Sequence, residues 1–348
     1  MTNELKVIFW REVPVDVDID FYIELKKYIN IEIYSLNDYD ESRKKSGYNK
    51  NDLEQEVINS RLNKETIVKK NIDAIHVLAG IRGSMSQIFR ILKKYHANKI
   101  LVLCERPNEC FDNYKYKIKT LVSKVGYWCL ARYYRKKIVA MLVMGKKGQV
   151  FYKKIGFKNI FPFMYCSENL VGKIEKQETS HLRCVYVGRI SKQYKGVDVL
   201  GEAVKNIENI SLDVYGGYGD YVEEFQNILK SVPVVHYHGQ IQHDRIIDQL
   251  GEYDVAIVPS KYDGWNLLVN QAIQAGIAVI CSNNCGSDEL VVYSKAGMIF
   301  KNYNVHDLKE KIEILMENKE MLKCMKKMQK IIGGKYYLSR LQYILLIL

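Results

Sequence analysis

The sequence predicts an α/β protein of two doubly wound, Rossmann-like domains, and three observations lead to this. Its 348 residues are enough for about two domains. Short apolar runs alternate with segments of helical pattern, and continuous apolar strands are typical of a parallel sheet covered by helices on both faces. A polar stretch without a strong period, residues 166–182, separates two such halves.

The predicted strands are separated by segments with helical periodicity. The first half has predicted strands at residues 5–10, 29–36, 73–80 and 99–105, with a helical segment at 86–96. The second half has predicted strands at 183–190, 210–217, 234–239, 254–260, 278–283 and 296–300. The helical segments between them are predicted at 197–207, 220–232, 243–253 and 266–276.

The domain boundaries follow from this pattern. We expect a first domain at 1–165, a linker at 166–182, a second domain at 183–318 and a helical tail at 319–348. The tail ends in the unusually apolar YYLSRLQYILLIL. This C-terminal helix either crosses back to the first domain or lies on the core of its own.

Composition narrows the class of protein. The chain has 47% hydrophobic and 26% charged residues, as in an ordinary globular protein. Its eight cysteines form no CxxC pair and no His/Cys cluster of metal-ligand spacing, which favours a reduced, cytoplasmic setting and no metal site. The N-terminus lacks the features of a signal peptide, and no apolar run reaches the roughly 18 residues of a membrane span.

The net charge of +12 comes from one segment. Residues 115–154 contain twelve Lys and Arg and no Asp or Glu, so the rest of the chain is neutral. A local patch of this kind favours an anionic partner, which is a lipid surface, a nucleic acid or a polyanionic substrate.

Part of this segment, residues 115–137, has the pattern of a basic amphipathic helix. Apolar residues recur at helical spacing, at Ile118, Leu121, Val122, Val125 and Cys129. The helix is either a contact for an anionic membrane, peripheral on the inner face of the cell membrane, or an ordinary domain helix with one solvated basic face. Nucleic-acid binding is disfavoured, because no recognised nucleic-acid module is present. The candidate acceptor-side or membrane-contacting residues are Trp128, Arg132, Arg135, Lys136 and Lys137.

A loop in the second half has the composition of a phosphate site. In VYVGRISKQYKGVDVL, residues 185–200, an apolar strand leads to Gly188 and Arg189, and Lys195 and Gly196 precede a helical segment. Ligands of doubly wound sheets bind beyond the carboxyl ends of the strands, where helix N-termini favour anions. Arg189 is suited to a bidentate contact with phosphate, and Lys195 supplies a second cation. Taken alone, the loop is equally compatible with two incidental solvated cations.

Residues 259–291 decide between these interpretations. They follow the order Pro-Ser, an acid, glycine and an aromatic, then Ala-x-x-x-Gly, a strand and a glycine-containing loop. This order resembles the C-terminal signature of the family-4 retaining glycosyltransferases (glycosyltransferase group 1), which also carry a Gly-Arg…Lys-Gly loop. The resemblance covers 183–302 well and the first half loosely. The matching residues are Pro259, Ser260, Asp263, Gly264, Trp265, Ala272, Gly276, Val279, Cys285, Gly286, Ser287, Glu289 and Leu290.

The resemblance implies a GT-B fold, in which two doubly wound domains face a cleft and the second holds most of a nucleotide sugar. It implies that Arg189 and Lys195 hold the donor diphosphate and offset its charge as it leaves. Asp263 would lie near the donor sugar, and position 271 would bind the ribose. The donor-binding residues implied are Gly188, Arg189, Lys195, Gly264, Trp265, Asn266, Leu267 and Gln271.

This chain departs from the family pattern at three positions. Asp263 is one methylene shorter than the usual glutamate, Asn266 stands where the family has its second glycine, and Gln271 replaces a second glutamate. A glutamine still accepts a hydrogen bond from a ribose hydroxyl but carries no charge. These changes leave open an altered donor preference, slow turnover or loss of activity.

The first half offers weaker candidates. His76 lies near the end of a predicted strand, so it is either a catalytic residue facing the cleft or a hydrogen-bonded histidine of the strand. The turn at 80–83 ends the same predicted strand and is either a contact for the acceptor or the donor phosphate or an ordinary turn. Glu105, at the end of the next predicted strand, either faces the cleft or has a structural role. The glycine turn at 215–219 either passes near the nucleotide base or is only a tight turn.

The function expected from the resemblance is transfer of a hexose, with retention, from a nucleoside diphosphate sugar to a glycan or a polyprenyl-diphosphate-linked acceptor, in surface polysaccharide or lipopolysaccharide synthesis. The leaving diphosphate would take the acceptor proton, with Asp263 and His76 as catalytic candidates and no bound cofactor or metal ion required. The alternatives are a catalytically weak or inactive GT-B binding protein and a basic polyanion-binding protein. A dinucleotide oxidoreductase is disfavoured, because no GxGxxG follows the first strand.

Overall fold

The computed structural model of the protein describes residues 5–13, 19–37, 58–59, 63–108, 114–164, 180–229, 232–242 and 245–327. These residues form one parallel sheet of seven strands and one of six, each with interleaved helices. The predicted α/β fold with two Rossmann-like domains is confirmed.

The first sheet has the strand order β3-β2-β1-β4-β5-β6-β7. Its strands are β1 (Lys6–Arg11), β2 (Asn30–Ser35), β3 (Ile58–Asn59), β4 (Ile75–Ala79), β5 (Ile100–Cys104), β6 (Ile138–Met144) and β7 (Ile160–Phe163). The helices of this domain are α1 (Ile19–Lys26), α2 (Lys64–Lys70), α3 (Ser84–Lys94), α4 (Tyr114–Tyr134) and α5 (Lys146–Lys154).

The second sheet has the order β10-β9-β8-β11-β12-β13. Its strands are β8 (Leu182–Val187), β9 (Ile210–Tyr215), β10 (Val235–Gly239), β11 (Val255–Val258), β12 (Ala278–Ser282) and β13 (Gly297–Phe300). The helices are α6 (Val197–Val204), α7 (Val222–Leu229), α8 (Ile246–Leu250), α9 (Leu267–Gln274), α10 (Asp288–Ser294) and α11 (Val305–Glu317).

Strand order reverses between β1 and β4 in the first sheet and between β8 and β11 in the second. A reversal opens a crevice at the carboxyl ends of the two strands, because the connections leave it on opposite faces of the sheet. The loops after β8 and β11 contain the two motifs singled out in the sequence. The fold therefore brings residues about 75 positions apart to one edge of the second sheet.

Apolar periodicity explains how the helices pack. In α3 the residues Met85, Ile88, Phe89 and Leu92 follow the i, i+3, i+4, i+7 spacing, and all four are buried. They pack against the first sheet in a cluster that contains Trp10. A separate cluster contains apolar residues of both domains, so the two sheets are joined by buried contacts.

The first sheet contains strands beyond those predicted. The apolar run of β6 lies inside the basic segment and comes directly after Lys137, without a turn signal between them. In β7, Pro162 interrupts the strand pattern. Proline is tolerated in β7 because this strand lies at the edge of the sheet. No helix in the described part of the chain is long and apolar enough to cross a membrane.

The predicted linker and tail are only partly within the described residues. The first sheet ends at Phe163 and the second begins at Leu182, whereas residues 165–179 lie outside the description. The start of the tail, a helical segment at 319–327, packs on the second domain, where Leu322 is buried and Lys326 Nζ donates to Asp254 at 2.5 Å. The apolar end of the tail lies outside the described residues.

The expectation that His76 faces the cleft is wrong. Strand β4 begins at Ile75, so His76 lies at its amino end, away from the cleft, and its side chain is fully buried. Trp10 Nε1 donates to His76 Nδ1 at 3.1 Å, and His76 Nε2 is 2.9 Å from the carbonyl oxygen of Asn71. Burial lowers the pKa of His76 from 6.5 to about 4, although the Asn71 hydrogen bond raises it slightly.

Because His76 is buried and neutral, we predict that it contributes to the pH dependence of the free energy of unfolding. The unfolded chain protonates His76 below pH 6.5, whereas the folded chain resists protonation until about pH 4. Its contribution is therefore complete above pH 6.5 and declines by up to ~3 kcal/mol as the pH falls towards 4. We expect His76→Gln to lose this decline, measured by urea unfolding at pH 7 and pH 4.5. An unchanged difference between the two pH values would contradict the assignment.

Candidate functional site

Two loops of the second domain meet at the switch point of its sheet. The first follows β8 and ends at Gly196, and the second follows β11 from Pro259. Gly196 has φ +64°, and a Cβ there would overlap the carbonyl oxygen of Pro259. Tyr262 N donates to the carbonyl oxygen of Tyr194 at 3.1 Å. The glycine is required because the two backbones touch.

A cavity of about 220 Å³ opens beside these loops. Its wall combines the loop after β8, the glycine turn after β9, the loop after β10 and the start of α9. The predicted donor-site residues among its lining are Gly188, Arg189, Lys195, Trp265, Asn266, Leu267 and Gln271. The fold brings these seven residues to one cavity, whereas Gly264 and Asp263, which the resemblance also assigns to the donor site, are not among its lining.

The glycine turn is packed directly against the loop after β8. A Cβ at Gly216 would overlap the carbonyl oxygen of Gly188, and a Cβ at Gly219 would overlap that of Ile190. The turn also lines the cavity through Tyr215 and Tyr218. The turn is therefore a tight one that also borders the cavity, and its contact with a nucleotide base stays a prediction.

Arg189 brings a cation to the cavity. Its guanidinium lies 5.8 Å from the centre of the Tyr194 ring, and its backbone oxygen accepts a hydrogen bond from Tyr186. Within the described ranges the buried Nε of Arg189 has no hydrogen-bond partner. A buried donor of this kind carries a desolvation penalty that an anionic ligand would relieve.

Lys195 and Asp263 form an ion pair between the two loops. Lys195 Nζ donates to Asp263 Oδ2 at 2.5 Å, and Asp263 is 9% exposed. Burial lowers the pKa of Lys195, but the charge and hydrogen bond of Asp263 outweigh this effect and raise the pKa above 10.5. Lys195 is therefore a cation at neutral pH. The same carboxylate oxygen accepts from Asn266 Nδ2 at 2.7 Å and from Ser260 Oγ at 3.3 Å.

The start of α9 fixes the rest of the wall. Asn266 Oδ1 accepts from Leu268 N at 3.0 Å and so caps the helix. Trp265 is buried, and its Nε1 donates to Asn270 Oδ1 at 2.9 Å. Gln271, one turn into the helix, is 7% exposed and reaches the cavity.

The first domain contacts the loop after β11 directly. Arg106, which follows β5, donates through Nη2 to the backbone oxygen of Asn284 and, at 2.9 Å, to its Oδ1. Tyr262 OH donates to the backbone oxygen of Arg106 at 2.6 Å, and the guanidinium lies 4.7 Å from the Tyr262 ring centre. Gly264 faces Glu105, because a Cβ on this glycine would overlap the Glu105 carboxylate.

A second contact joins α5 to α10. Lys147 Nζ donates to Asp288 Oδ2 at 2.6 Å and to the backbone oxygen of Asn283. The N-terminus of α5 has no cap from its own neighbour Gly145, but Lys146 N donates to Glu289 Oε2 at 3.1 Å. A carboxylate of the second domain therefore caps a helix of the first.

Sequence reasoning missed Arg106 and Lys147. Both follow strands of the first sheet at its carboxyl edge, in the half of the chain that the resemblance covers only loosely. Their partners lie 178 and 141 positions further along the chain. Within the described ranges, no group of three His, Cys, Asp or Glu side chains is placed to hold a metal ion.

The basic helix α4 lies apart from this cavity's lining and turns its apolar stripe outwards. Leu121 and Val122 are 64% and 65% exposed, and the stripe continues through Ile118, Val125 and Trp128. The helix is held to the domain through Thr120, Ala131 and Tyr134, on its opposite face. The candidate residues Arg132, Arg135, Lys136 and Lys137 are all exposed, and Arg132 lies 5.1 Å from the Trp128 ring centre.

Two doubly wound domains, with a cavity at the switch point of the second, define a protein of the GT-B class. Residues 171–331 match the model of the family described as glycosyl transferases group 1, so the second domain is similar to this family.

Curated proteins from other organisms are similar to parts of the chain. An uncharacterized 41.2 kDa protein in the cps region of Klebsiella pneumoniae is 24% identical over 266 residues, which are 72% of this chain and 70% of that protein. The sulfoquinovosyl transferase SQD2 of Arabidopsis thaliana is 24% identical over 139 residues, which are 39% of this chain and 27% of that protein.

Solved structures share the fold of the whole chain. HepE of Anabaena, in complex with UDP and glucose, has a TM-score of 0.73 at 13% identity, with 98% of each chain covered. WaaG, a glycosyltransferase involved in lipopolysaccharide biosynthesis, has a TM-score of 0.67 at 12% identity, with 97% of this chain and 98% of WaaG covered.

The contact between Gly264 and Glu105 predicts a coupled pair of substitutions. Gly264→Ala places a methyl group against the Glu105 carboxylate across the cleft, so we expect a loss of about 1–3 kcal/mol in unfolding free energy. Glu105→Gly removes the whole side chain, including the Cβ that would lie 2.9 Å from the added carbon, so the double variant should regain most of this loss. Gly126→Ala, where no atom lies within 4 Å of the added Cβ, is the matched control. Strictly additive effects in the double-mutant cycle would contradict the closed arrangement.

Proposed function

We propose that this glycosyltransferase moves a hexose, with retention, from a nucleoside diphosphate sugar to a glycan or lipid-linked acceptor. The observation that carries the proposal is that Arg189 and Lys195 line one cavity at the switch point, where Lys195 is also paired with the carboxylate of Asp263. A diphosphate supplies the charge that Arg189 Nε and Lys195 Nζ would bind.

The cavity wall suggests where each part of the donor would lie. The diphosphate would lie against Arg189 and Lys195, and the hexose would extend towards Asp263. The nucleoside would lie between the glycine turn and Gln271, whose amide would accept a ribose hydroxyl. HepE has been solved with UDP-glucose, which supports a uridine diphosphate hexose as the first donor to test.

The proposed chemistry assigns few duties to side chains. Arg189 and Lys195 would stabilise the charge that develops on the leaving diphosphate, which would itself take the proton of the acceptor hydroxyl. Asp263 would orient the donor sugar, and the contacts of Arg106 with the loop after β11 would hold this arrangement against the first domain. The proposal gives no step to a metal ion or a bound cofactor.

The setting we propose is the synthesis of a surface polysaccharide or lipopolysaccharide. Two findings support it, namely the relative in the cps region of Klebsiella pneumoniae and the structural likeness to WaaG. The acceptor would enter from the first-domain side of the cleft, where the turn at 80–83 follows β4.

One observation favours a second candidate, a weak or inactive GT-B binding protein. Gln271 and Asn266 depart from the family pattern, and Lys195, which would bind the diphosphate, is paired with Asp263. Gln271→Glu separates the two candidates. A large gain in turnover with UDP-glucose indicates a weakened enzyme, whereas unchanged absence of turnover with intact nucleotide binding indicates a binding protein.

Removal of Arg189 tests the donor site. We expect one of UDP, GDP and ADP to bind the unsubstituted protein in calorimetry. Arg189→Ala should weaken that binding by tenfold or more, because it loses charged hydrogen bonds worth ~1.5–3 kcal/mol. Arg245→Ala, an exposed arginine of the same domain outside the cavity lining, is the control. Failure of all three nucleotides to bind would reject the proposed donor site.

We further propose that the protein works peripherally at the inner face of the cell membrane, with α4 against anionic lipid. The outward apolar stripe is accompanied by exposed lysines at 115, 117 and 119 and by the basic residues at 135–137. Apolar insertion together with basic residues is the combination that binds an anionic surface. Arg82 links this helix to the cleft edge, because its Nη1 donates to Ser123 Oγ of α4 at 3.1 Å.

The exposed stripe predicts lipid binding that two substitutions remove. Leu121→Glu with Val125→Glu should abolish sedimentation with vesicles containing about one third phosphatidylglycerol, without unfolding the chain, because both side chains are exposed. Val292→Glu with Tyr293→Glu, on α10 of the second domain, is the matched control. Equal sedimentation of both variants and the unsubstituted protein would reject the lipid contact.

A further inference from the structure

Asn266 occupies a position where a glycine is expected from the family pattern. Its side chain makes two hydrogen bonds at once. Oδ1 accepts from Leu268 N at 3.0 Å, which caps α9, and Nδ2 donates to Asp263 Oδ2 at 2.7 Å. Its backbone oxygen accepts from Ser287 Oγ at 3.1 Å. A glycine would provide neither side-chain bond.

The amide of Asn266 has only one workable orientation. Capping α9 requires an acceptor, and only Oδ1 supplies one. The reversed amide would point its NH₂ group at the Leu268 N–H and its oxygen at the Asp263 carboxylate, and both contacts would be repulsive. The helix cap therefore fixes Nδ2 as a permanent donor to Asp263.

Asn266 and Lys195 donate to the same carboxylate oxygen. In the proposed function Lys195 also contacts the donor diphosphate, so the phosphate oxygens compete with Asp263 for its ammonium. Asp263 is 9% exposed, and a buried carboxylate that loses its cation needs other donors to remain stable. Asn266 and Ser260 are the side chains that remain in place to supply them.

We infer that Asn266 is a positioning residue that holds the Asp263 carboxylate in place and so lowers the cost of sharing Lys195 with a nucleoside diphosphate. The inference rests on the proposed function. It accounts for two departures together. The family pattern has a glutamate at position 263 and a glycine at position 266. Here Asp263 is shorter than the glutamate, and the Asn266 side chain, which the glycine lacks, donates a hydrogen bond to it.

The test separates the cap from the contact with Asp263. Asn266→Ser keeps an N-cap residue but loses the amide donor. Asn304→Ser is the matched control, because Asn304 caps α11 in the same domain through a 3.0 Å bond to Asp307 N and has similar backbone angles. Each variant is made alone and together with Asp263→Asn, and binding of UDP, GDP and ADP is measured by calorimetry together with thermal unfolding.

We expect Asn266→Ser to weaken nucleotide binding about tenfold, as for the loss of one charged hydrogen bond, whereas Asn304→Ser leaves binding unchanged. In the Asp263→Asn background Lys195 has no carboxylate to leave, so Asn266→Ser should change binding less than twofold. A purely structural cap would give the same effect in both backgrounds.

The outcomes distinguish this inference from the proposed function. If the unsubstituted protein binds a nucleotide but Asn266→Ser behaves like Asn304→Ser, the positioning role is rejected and the donor site stands. An equal loss in both Asp263 backgrounds also rejects it. If the unsubstituted protein binds no nucleotide, the donor site fails and the inference fails with it.

Discussion

The ion pair between Lys195 and Asp263 is the contact on which the candidate site depends. It joins the loops after β8 and β11, two strands that are neighbours only because the sheet reverses its order there. Gly196 allows the two backbones to touch, and the ion pair fixes the side chains above them. Without that close approach, Lys195 would not reach Asp263, and the two loops would not border one cavity.

A second set of contacts joins the two domains across the cleft, and at the loops these contacts are mainly polar. Arg106 and Lys147 donate to backbone oxygens of the loop after β12, and Glu289 caps α5 from the opposite domain. A Cβ at Gly286 would overlap the carbonyl oxygen of Gly264, so the loop after β12 is also packed on the loop after β11. Each of these hydrogen bonds contributes only a modest net free energy, so the arrangement of the two domains depends on several of them together with the buried apolar contacts between the sheets.

The sequence predicted the second domain well because its signals are local. Continuous apolar runs marked all six strands, and a glycine beside each cation marked the loop that holds Arg189 and Lys195. The contacts of Arg106 could not be predicted from the sequence, because they depend on how the two domains face each other and no sequence periodicity reports this. Of the two interpretations of His76, the structure supports the hydrogen-bonded histidine of the strand, because His76 lies at the amino end of β4 and its side chain is buried.

The basic segment shows why charge counted along a chain differs from charge presented to a partner. Lys147, within the segment, is paired with Asp288 and serves the contact between domains. The basic residues of α4 instead accompany a stripe of apolar side chains that points away from the domain. An apolar stripe normally marks the buried face of a helix, yet here small and aromatic residues of the opposite face fill that role. Periodicity predicted the helix, but only the packing of Ala131 and Tyr134 shows which of its faces is exposed to solvent. The exposed face in turn determines which basic residues are available to an anionic surface.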